Sequence, residues 1–246
     1  MSCLFQIPSF DPSCFKGSHL FLPSVSIGNV PQLTCDLLIH TLKLNRVGFI
    51  ESDALIPVIG QRENSDIGVH VPIEVYQSAD QRVTVVQQRS PTLRGRKKEL
   101  VATLIQFITS NDFSRVTLVT SLDASMRLDS QITRYIAVVK DIQQQIGVPV
   151  LETSDQEETA AASVPMMSGG GLARSLYQQL SENAKMEVVV FSMFVLEGDN
   201  VQDSVEMANV LNSYYSLLPQ DTSASWTPPK SWEFLFGTPF NKELYQ

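Results

Sequence analysis

Short apolar runs and stripes of helical spacing succeed one another along the chain. His19 to Ile27 is apolar and rich in β-branched residues, which predicts a strand ending at Gly28-Asn29. Val30, Leu33, Leu37 and Leu44 then recur near helical spacing. Asn29 stands where it can cap the first turn, and Pro31 is tolerated there because the amide it lacks has no helical partner. Arg46 to Glu51 reads as the next strand, completing a β-α-β start. Val69 to Tyr76 and Arg82 to Gln88 alternate with period two, predicting antiparallel strands joined through Ser78-Ala79-Asp80-Gln81.

Further on, Leu100, Leu104, Phe107 and Ile108 mark one helical face and Val116 to Thr120 a buried strand. Ile132, Ile136, Val139, Ile142 and Ile146 predict another amphipathic helix, stopped at Gly147-Val148-Pro149. Glu152 to Ala162 is acidic and poor in large apolar groups, so it is expected to be a mobile loop inside the domain. Arg174 to Gln179 reads as a helix and Glu187 to Val195 as the most apolar strand. Val201 to Leu218 reads as a long helix capped by Asn200, with Asp203 one turn in. Strands alternating with helices around one hairpin imply an α/β fold: a single domain over residues 1–237, with a mixed, mostly parallel sheet flanked by helices on both faces and a mobile tail over 238–246.

Composition narrows the function classes. At 246 residues, 43% of them hydrophobic and 18% charged, the chain is long enough to bury a sizeable core. A net charge of -8 argues against nucleic acid and anionic lipid as partners. The basic cluster from Arg94 to Lys98 has no interleaved aromatic residues and reads as the solvated start of a helix. An odd set of cysteines, Cys3, Cys14 and Cys35, fits a reducing compartment, so cytoplasm and nucleus are expected. Neither a leader pattern nor an apolar run approaching ~20 residues is seen, so neither secretion nor membrane insertion is expected.

Candidate chemistry is sparse. Ser168-Gly169-Gly170-Gly171 precedes a short helix and could offer backbone amides to phosphate, but its spacing matches neither a Walker motif nor a dinucleotide fingerprint and favours a tight structural turn. Ser26-Ile27-Gly28-Asn29 sits at a strand's carboxyl end, where open α/β sheets often bind ligands, and equally suits helix capping. His19, His40 and His70 lie far apart, without metal-ligand or catalytic spacing. Asp53, Glu74, Glu197 and Asp199 could pair in space, though spacing places no two together. Glu197-Gly198-Asp199-Asn200 reads as a glycine turn with an acidic helix start. No enzyme, cofactor or metal site is therefore expected; the alternative kept open is an α/β enzyme binding a phosphorylated or nucleoside-like ligand at Gly28-Asn29 and Gly169 to Gly171. Trp226, Trp232, Phe234 and Phe236, between Pro228-Pro229 and Gly237-Thr238-Pro239, suggest a clamp holding the C-terminal stretch to the body.

The final residues, Leu244, Tyr245 and Gln246, are chemically suited to pocket insertion: an apolar side chain, an aromatic ring with a hydroxyl, and a backbone carboxylate that can meet a lysine. This ending resembles the hydrophobic-tyrosine-any (HbYX) tail with which proteasome activators and assembly factors enter the clefts between α-ring subunits. Together with Val25 to Leu33 (including Gly28, Asn29 and Gln32), Gln88-Arg89-Ser90, Gly169-Gly170-Gly171 with Leu176-Tyr177, Glu197-Gly198-Asp199-Asn200, and Ser231-Trp232 with Phe236-Gly237, it makes the chain resemble the proteasome assembly chaperone family across nearly its whole length. Thr92 to Gln145 matches mainly by pattern, and the acidic loop has no clear counterpart. The resemblance implies a non-enzymatic chaperone of the proteasome core particle. Such a protein would pair with proteasome assembly chaperone 1, bind proteasome α-subunits in the α-ring and prevent off-pathway ring association. Gly28, Asn29, Gln32, Gly169 to Gly171, Glu197 to Asn200 and Trp232 would be structural or interface residues. A general adaptor whose tail serves another receptor is the third reading.

Overall fold

The computed structural model describes residues 4–6, 10–62, 68–127, 136–139, 147–151, 164–182, 186–218 and 225–234. Its strands are β1 (Leu4–Gln6), β2 (His19–Pro23), β3 (Asn45–Ile50), β4 (Gly60–Gln61), β5 (Val69–His70), β6 (Ile73–Gln77), β7 (Val83–Gln88), β8 (Arg115–Asp123), β9 (Ile136–Val138) and β10 (Glu187–Val195). The α-helices are α1 (Val30–Thr41), α2 (Lys97–Ser110), α3 (Ala173–Ser181) and α4 (Val201–Tyr215).

An eight-stranded sheet runs β1-β3-β6-β7-β2-β8-β10-β9, and β4 pairs with β5 as a separate ribbon. The sheet is mixed and mostly parallel: β2, β3, β7, β8 and β10 point one way, while β1, β6 and β9 point the other. Its centre is covered on both sides, which explains why β8 and β10 read as near-continuous apolar runs. Alternate residues feed two cores. Leu20, Leu22, Val116, Leu118, Val188 and Val190 face α2 and α3; Phe21, Val85, Val119, Val189, Phe191 and Met193 face α1 and α4. Helices therefore lie on both faces, as the alternation of elements predicts.

Most predicted elements recur within a residue or two, and the differences have local causes. The first long strand ends at Pro23, where proline has no amide for the ladder, and Ile27–Asn29 forms a 3-10 turn instead of a strand end. The strand after α1 is not a neighbour of β2: β6 and β7 insert between them, because the hairpin supplies the hydrogen-bonded edge that β3 uses. The first hairpin arm is split at Val71-Pro72, giving β5 and β6 separate partners.

Ile136 and Val139 do not belong to a helix. Residues Ile136–Val138 form β9, antiparallel to β10, and the Val139 amide donates to the Val190 carbonyl at 3.1 Å. The free edge of β10 offered ladder partners, and its pairing outweighs a helical stripe of weak local support. The other members of that stripe, Ile132, Ile142 and Ile146, lie outside the described residues, as does the acidic segment 152–162. The last helix ends at Tyr215, and Ser216 takes the left-handed conformation, φ 52°.

Candidate functional site

The carboxyl ends of β2, β8 and β10 gather three of the sequence motifs. Gly28 and Asn29, at φ 69° and 56°, are consecutive left-handed residues, a conformation that glycine and asparagine tolerate best. That geometry turns the chain from β2 into α1 and leaves the Asn29 side chain outside any cap bond; its Oδ1 accepts instead from Gln32 Nε2 at 3.3 Å. The Gln32 carbonyl in turn accepts from Gln87 Nε2 at 2.8 Å, tying α1 to β7.

Asn200 likewise does not cap its helix with its side chain. Its Nδ2 lies 3.1 Å from the Gly28 carbonyl and 3.0 Å from that of Leu196, joining the β10-α4 turn to the β2-α1 turn. Asp199 takes the capping role, with Oδ1 accepting from the Val201 amide at 3.1 Å. Glu197, Gly198 and Asp199 are exposed. Burial, and after it the nearby Asp199 charge, pushes the Asp203 carboxyl up.

The glycine-rich segment fills the crevice between these turns. The Gly169 carbonyl accepts from the Ile27 amide at 3.2 Å, and the Gly170 carbonyl from Ser24 Oγ at 2.9 Å and Thr120 Oγ1 at 3.1 Å. Ser24 Oγ also accepts from the Leu172 amide at 2.7 Å. A Cβ at Gly171, φ 63°, would stand 2.1 Å from the Val25 carbonyl oxygen, so the close backbone approach requires glycine. Three amides of the segment are committed within the protein: Gly170 and Ala173 donate to the Met167 and Gly170 carbonyls, and Leu172 to Ser24 Oγ. The segment acts as a latch where an open α/β sheet would hold a ligand.

A second constellation was not legible in the sequence. Glu74, its side chain fully buried, receives Arg46 Nη1 at 2.8 Å, His70 Nδ1 at 2.7 Å and Tyr76 Oη at 3.1 Å. Arg89 lies between carboxylates, with Nη2 donating to Asp36 at 3.0 Å and Nε standing 3.5 Å from Glu74. Burial alone would raise the Glu74 carboxyl, but hydrogen bonds from His70 and Arg46 and the charges of His70 and Arg89 hold it at about 2. Burial and the neighbouring Glu74 charge push the Tyr76 phenol up to about 12. Glu74 is thus joined to cations and not to Asp53, Glu197 or Asp199. The only sequence hint was the i,i+4 spacing of His70 and Glu74, on a segment that reads as strand. This network floors a cleft of about 460 Å³.

The other histidines carry no catalytic geometry. His19 bonds Thr117 Oγ1 at 2.8 Å, and burial, reinforced by Arg115, pushes its imidazole down to about 3. His40 borders the cleft. Among the described residues, no group of three or more His, Cys, Asp or Glu side chains could hold a metal, and no helix is long and apolar enough to cross a membrane.

The C-terminal stretch is held to the body as far as it is described. Trp226 Nε1 donates to Asn209 of α4 at 2.8 Å, and the Thr227 amide donates to Thr41 Oγ1 of α1 at 2.9 Å. Trp232 lies in a 3-10 turn, Lys230–Phe234, and its amide donates to the Pro229 carbonyl at 3.1 Å. Phe236, Gly237 to Pro239, and Leu244, Tyr245 and Gln246 lie outside the described residues. Among the described residues, large apolar side chains are exposed at Phe5 and Phe49, stacked at 5.2 Å on β1 and β3, at Ile56, Val58, Ile59, Val69 and Met166, and at Met126 and Leu196 just beyond the carboxyl ends of β8 and β10.

Comparison with known proteins agrees with the fold. The sequence profile described as the PAC2 family matches residues 20–215. Proteasome assembly chaperone 2 of Danio rerio is 34% identical, over 91% of this chain and 93% of its own, and that of Homo sapiens is 26% identical, over 93% and 95%. Among solved structures, Pyrococcus furiosus PbaA, an archaeal homolog of proteasome-assembly chaperone, superposes with a TM-score of 0.63 at 12% identity, covering 83% of this chain and 84% of its own. Pyrococcus furiosus PbaB, an archaeal proteasome activator, gives 0.62 at 12% identity, covering 89% and 92%.

Proposed function

Because the chain belongs to the PAC2 family, we propose that it is a non-enzymatic assembly chaperone for the 20S proteasome, present in cytoplasm and nucleus. It works as a heterodimer with proteasome assembly chaperone 1, promotes α-ring assembly and prevents off-pathway association of α-rings. The observation that carries this reading is the filled crevice. Where an α/β enzyme would bind its ligand, the Gly169–Gly171 latch occupies the space with its own backbone. Exposed apolar side chains at the β1 edge and beyond β8 and β10 offer surface for protein partners.

Docking rests partly on the tail. Leu244 and Tyr245 enter a cleft between α-subunits, and the Gln246 carboxylate pairs with a lysine there. From Gly237 an extended segment reaches at most about 30 Å, enough to leave the body. One short tail buries little area against the entropy of ordering it, so the partner subunit must add a second contact. A second insertion then sees an effective concentration on the order of mM, and avidity exceeds either contact by ~100-fold or more.

The test is affinity capture from native cell extract of the full chain beside a version ending at Glu243, with bound proteins identified by mass spectrometry. Recovery of α-ring subunits and a related chaperone, with the α-subunits reduced by truncation, is expected. Recovery of neither partner overturns the reading. Tyr245→Ala should weaken α-ring recovery and leave the heterodimer intact; loss of both together would contradict a peripheral tail.

A further inference from the structure

We propose that Thr227 is a phosphorylation site for a proline-directed protein kinase, and that the phosphate releases the C-terminal strap from α1. The site lies apart from the glycine latch and from the terminal residues. Its sequence is Thr227-Pro228-Pro229-Lys230. Proline after the hydroxyl fixes φ and offers no amide. A kinase groove that hydrogen-bonds this amide rejects such a segment, and one with an apolar pocket there accepts it. Lys230, three residues beyond the hydroxyl, gives an acidic subsite of the kinase a cation to hold.

Two other hydroxyl residues of the chain precede a proline, and neither shares the pattern. Ser90-Pro91 has Leu93 at the third position, and Ser90 is buried, its Oγ donating to the Ile56 carbonyl at 2.7 Å. Thr238-Pro239 has Asn241 there. Thr227 is exposed, as are Pro228 and Lys230, and residues 225–229 belong to no helix or strand. Pro229 is buried and Trp226 half-buried, so the kinase must capture the strap after it lifts. The ties described above, from Trp226 Nε1 to Asn209 and from the Thr227 amide to Thr41 Oγ1, are single contacts to side chains. Such contacts open locally at far lower cost than a sheet ladder.

In the transfer, Thr227 Oγ1 attacks the γ-phosphorus of Mg-bound ATP. The bond from that phosphorus to the bridging oxygen breaks, ADP leaves, and the hydroxyl proton passes to the kinase's catalytic carboxylate. The product no longer suits the closed strap. A phosphothreonine carries a charge of about -1.5 to -2, and its oxygens can reach the amide of their own residue. That amide is the donor to Thr41 Oγ1, in the last turn of α1, so the phosphate competes for the bond that ties strap to helix. The carboxyl end of α1 is the negative end of its dipole and repels the new charge. Lifting exposes the hydroxyl to the kinase, and the phosphate then opposes closure. The strap leads into the terminal residues, so on the docking reading above its release alters how they are presented; the site itself does not depend on that reading.

The experiment is incubation of the folded full-length protein with Mg·ATP and a cyclin-dependent kinase bound to its cyclin. Peptide mass spectrometry then locates the phosphate, and hydrogen exchange is followed over residues 225–234. Phosphate on Thr227 is expected. Thr227→Val should remain unmodified in that segment, and Lys230→Ala should be modified at least about tenfold more slowly, the loss of one charged hydrogen bond. The phosphorylated protein should exchange its 225–234 amides several-fold faster, with those of β8 unchanged. This comparison uses only the unaltered sequence, so a misfolded variant cannot decide it. No phosphate on Thr227 of the folded chain, or an equal rate in Lys230→Ala, overturns the site. Phosphate on Thr227 with unchanged exchange over 225–234 overturns the release. Neither readout involves the proteasome, so the outcome is separate from that of the chaperone reading.

Discussion

Replacing Gly171 by alanine tests whether the glycine-rich segment is a structural latch or a ligand cradle. At φ 63° the new side chain occupies the left-handed region, and its Cβ would stand 2.1 Å from the Val25 carbonyl oxygen and 2.7 Å from Ser24 Oγ. The conformation costs about 1–2 kcal/mol. The clash adds about 1–3 kcal/mol, since the nearest atom is backbone and cannot swing aside. Restricting the unfolded chain returns about 0.4–1 kcal/mol, leaving a net loss of about 1–5 kcal/mol. Gly17→Ala is the matched control: its φ is 76°, but no heavy atom lies within 4 Å of the added Cβ, so about 1 kcal/mol or less is expected. Urea unfolding followed by far-ultraviolet circular dichroism reads both variants. A Gly171→Ala midpoint within error of Gly17→Ala would refute the latch, because a cradle open to solvent would accept the methyl group.

Glu74→Gln should destabilise the protein by about 3 kcal/mol or more at neutral pH, because Arg46 and Arg89 would keep buried charge without their shared partner; an unchanged melting temperature would count against the network. The acid limb follows from the same group. A carboxyl held at about 2 against an ordinary 4.5 contributes stability that is fully present above 4.5 and lost as pH falls towards 2. His19, held at about 3 against 6.5, is neutral in the fold, so its contribution erodes from 6.5 downward. Unfolding free energy measured against pH should therefore decline first below 6.5 and more steeply below 4.5, and Glu74→Gln should remove the second step; the same steep limb in the variant would assign it elsewhere. Val190→Asp places an unpaired charge at a fully buried position of β10 and should abolish soluble, cooperatively melting protein. Normal solubility and melting would overturn the core assignment. Asn200→Ala should cost about 1–3 kcal/mol in the same urea assay, through the lost donor to the Gly28 carbonyl, whereas a simple capping role would leave that contact irrelevant.

Hydrophobic patterning by itself determined the strands β8 and β10, the helices α1 to α4 to within a few residues, the hairpin of β6 and β7, and the α/β class with helices on both faces. These are local consequences of period and turn chemistry, which act over a few residues. The break at Gly28-Asn29 was legible as a strand end and a helix cap, but not as the left-handed turn with an uncapped Asn29 side chain that forms there. Tertiary structure alone decided the rest. The free edge of β10 made Ile136–Val138 a strand against its helical stripe, and the hairpin separated β3 from β2. Close approach to Val25 made the glycine segment a latch, and Asn200 left its cap position to bond Gly28, 172 residues away in the chain. The cleft over Asp36, Glu74 and Arg89 had no signature beyond the spacing of His70 and Glu74, because its charges come from α1, the β4-β5 ribbon and the ends of β6 and β7. Coulomb attraction and hydrogen bonding depend on distance in space, and only the folded sheet brings those side chains within reach of one another.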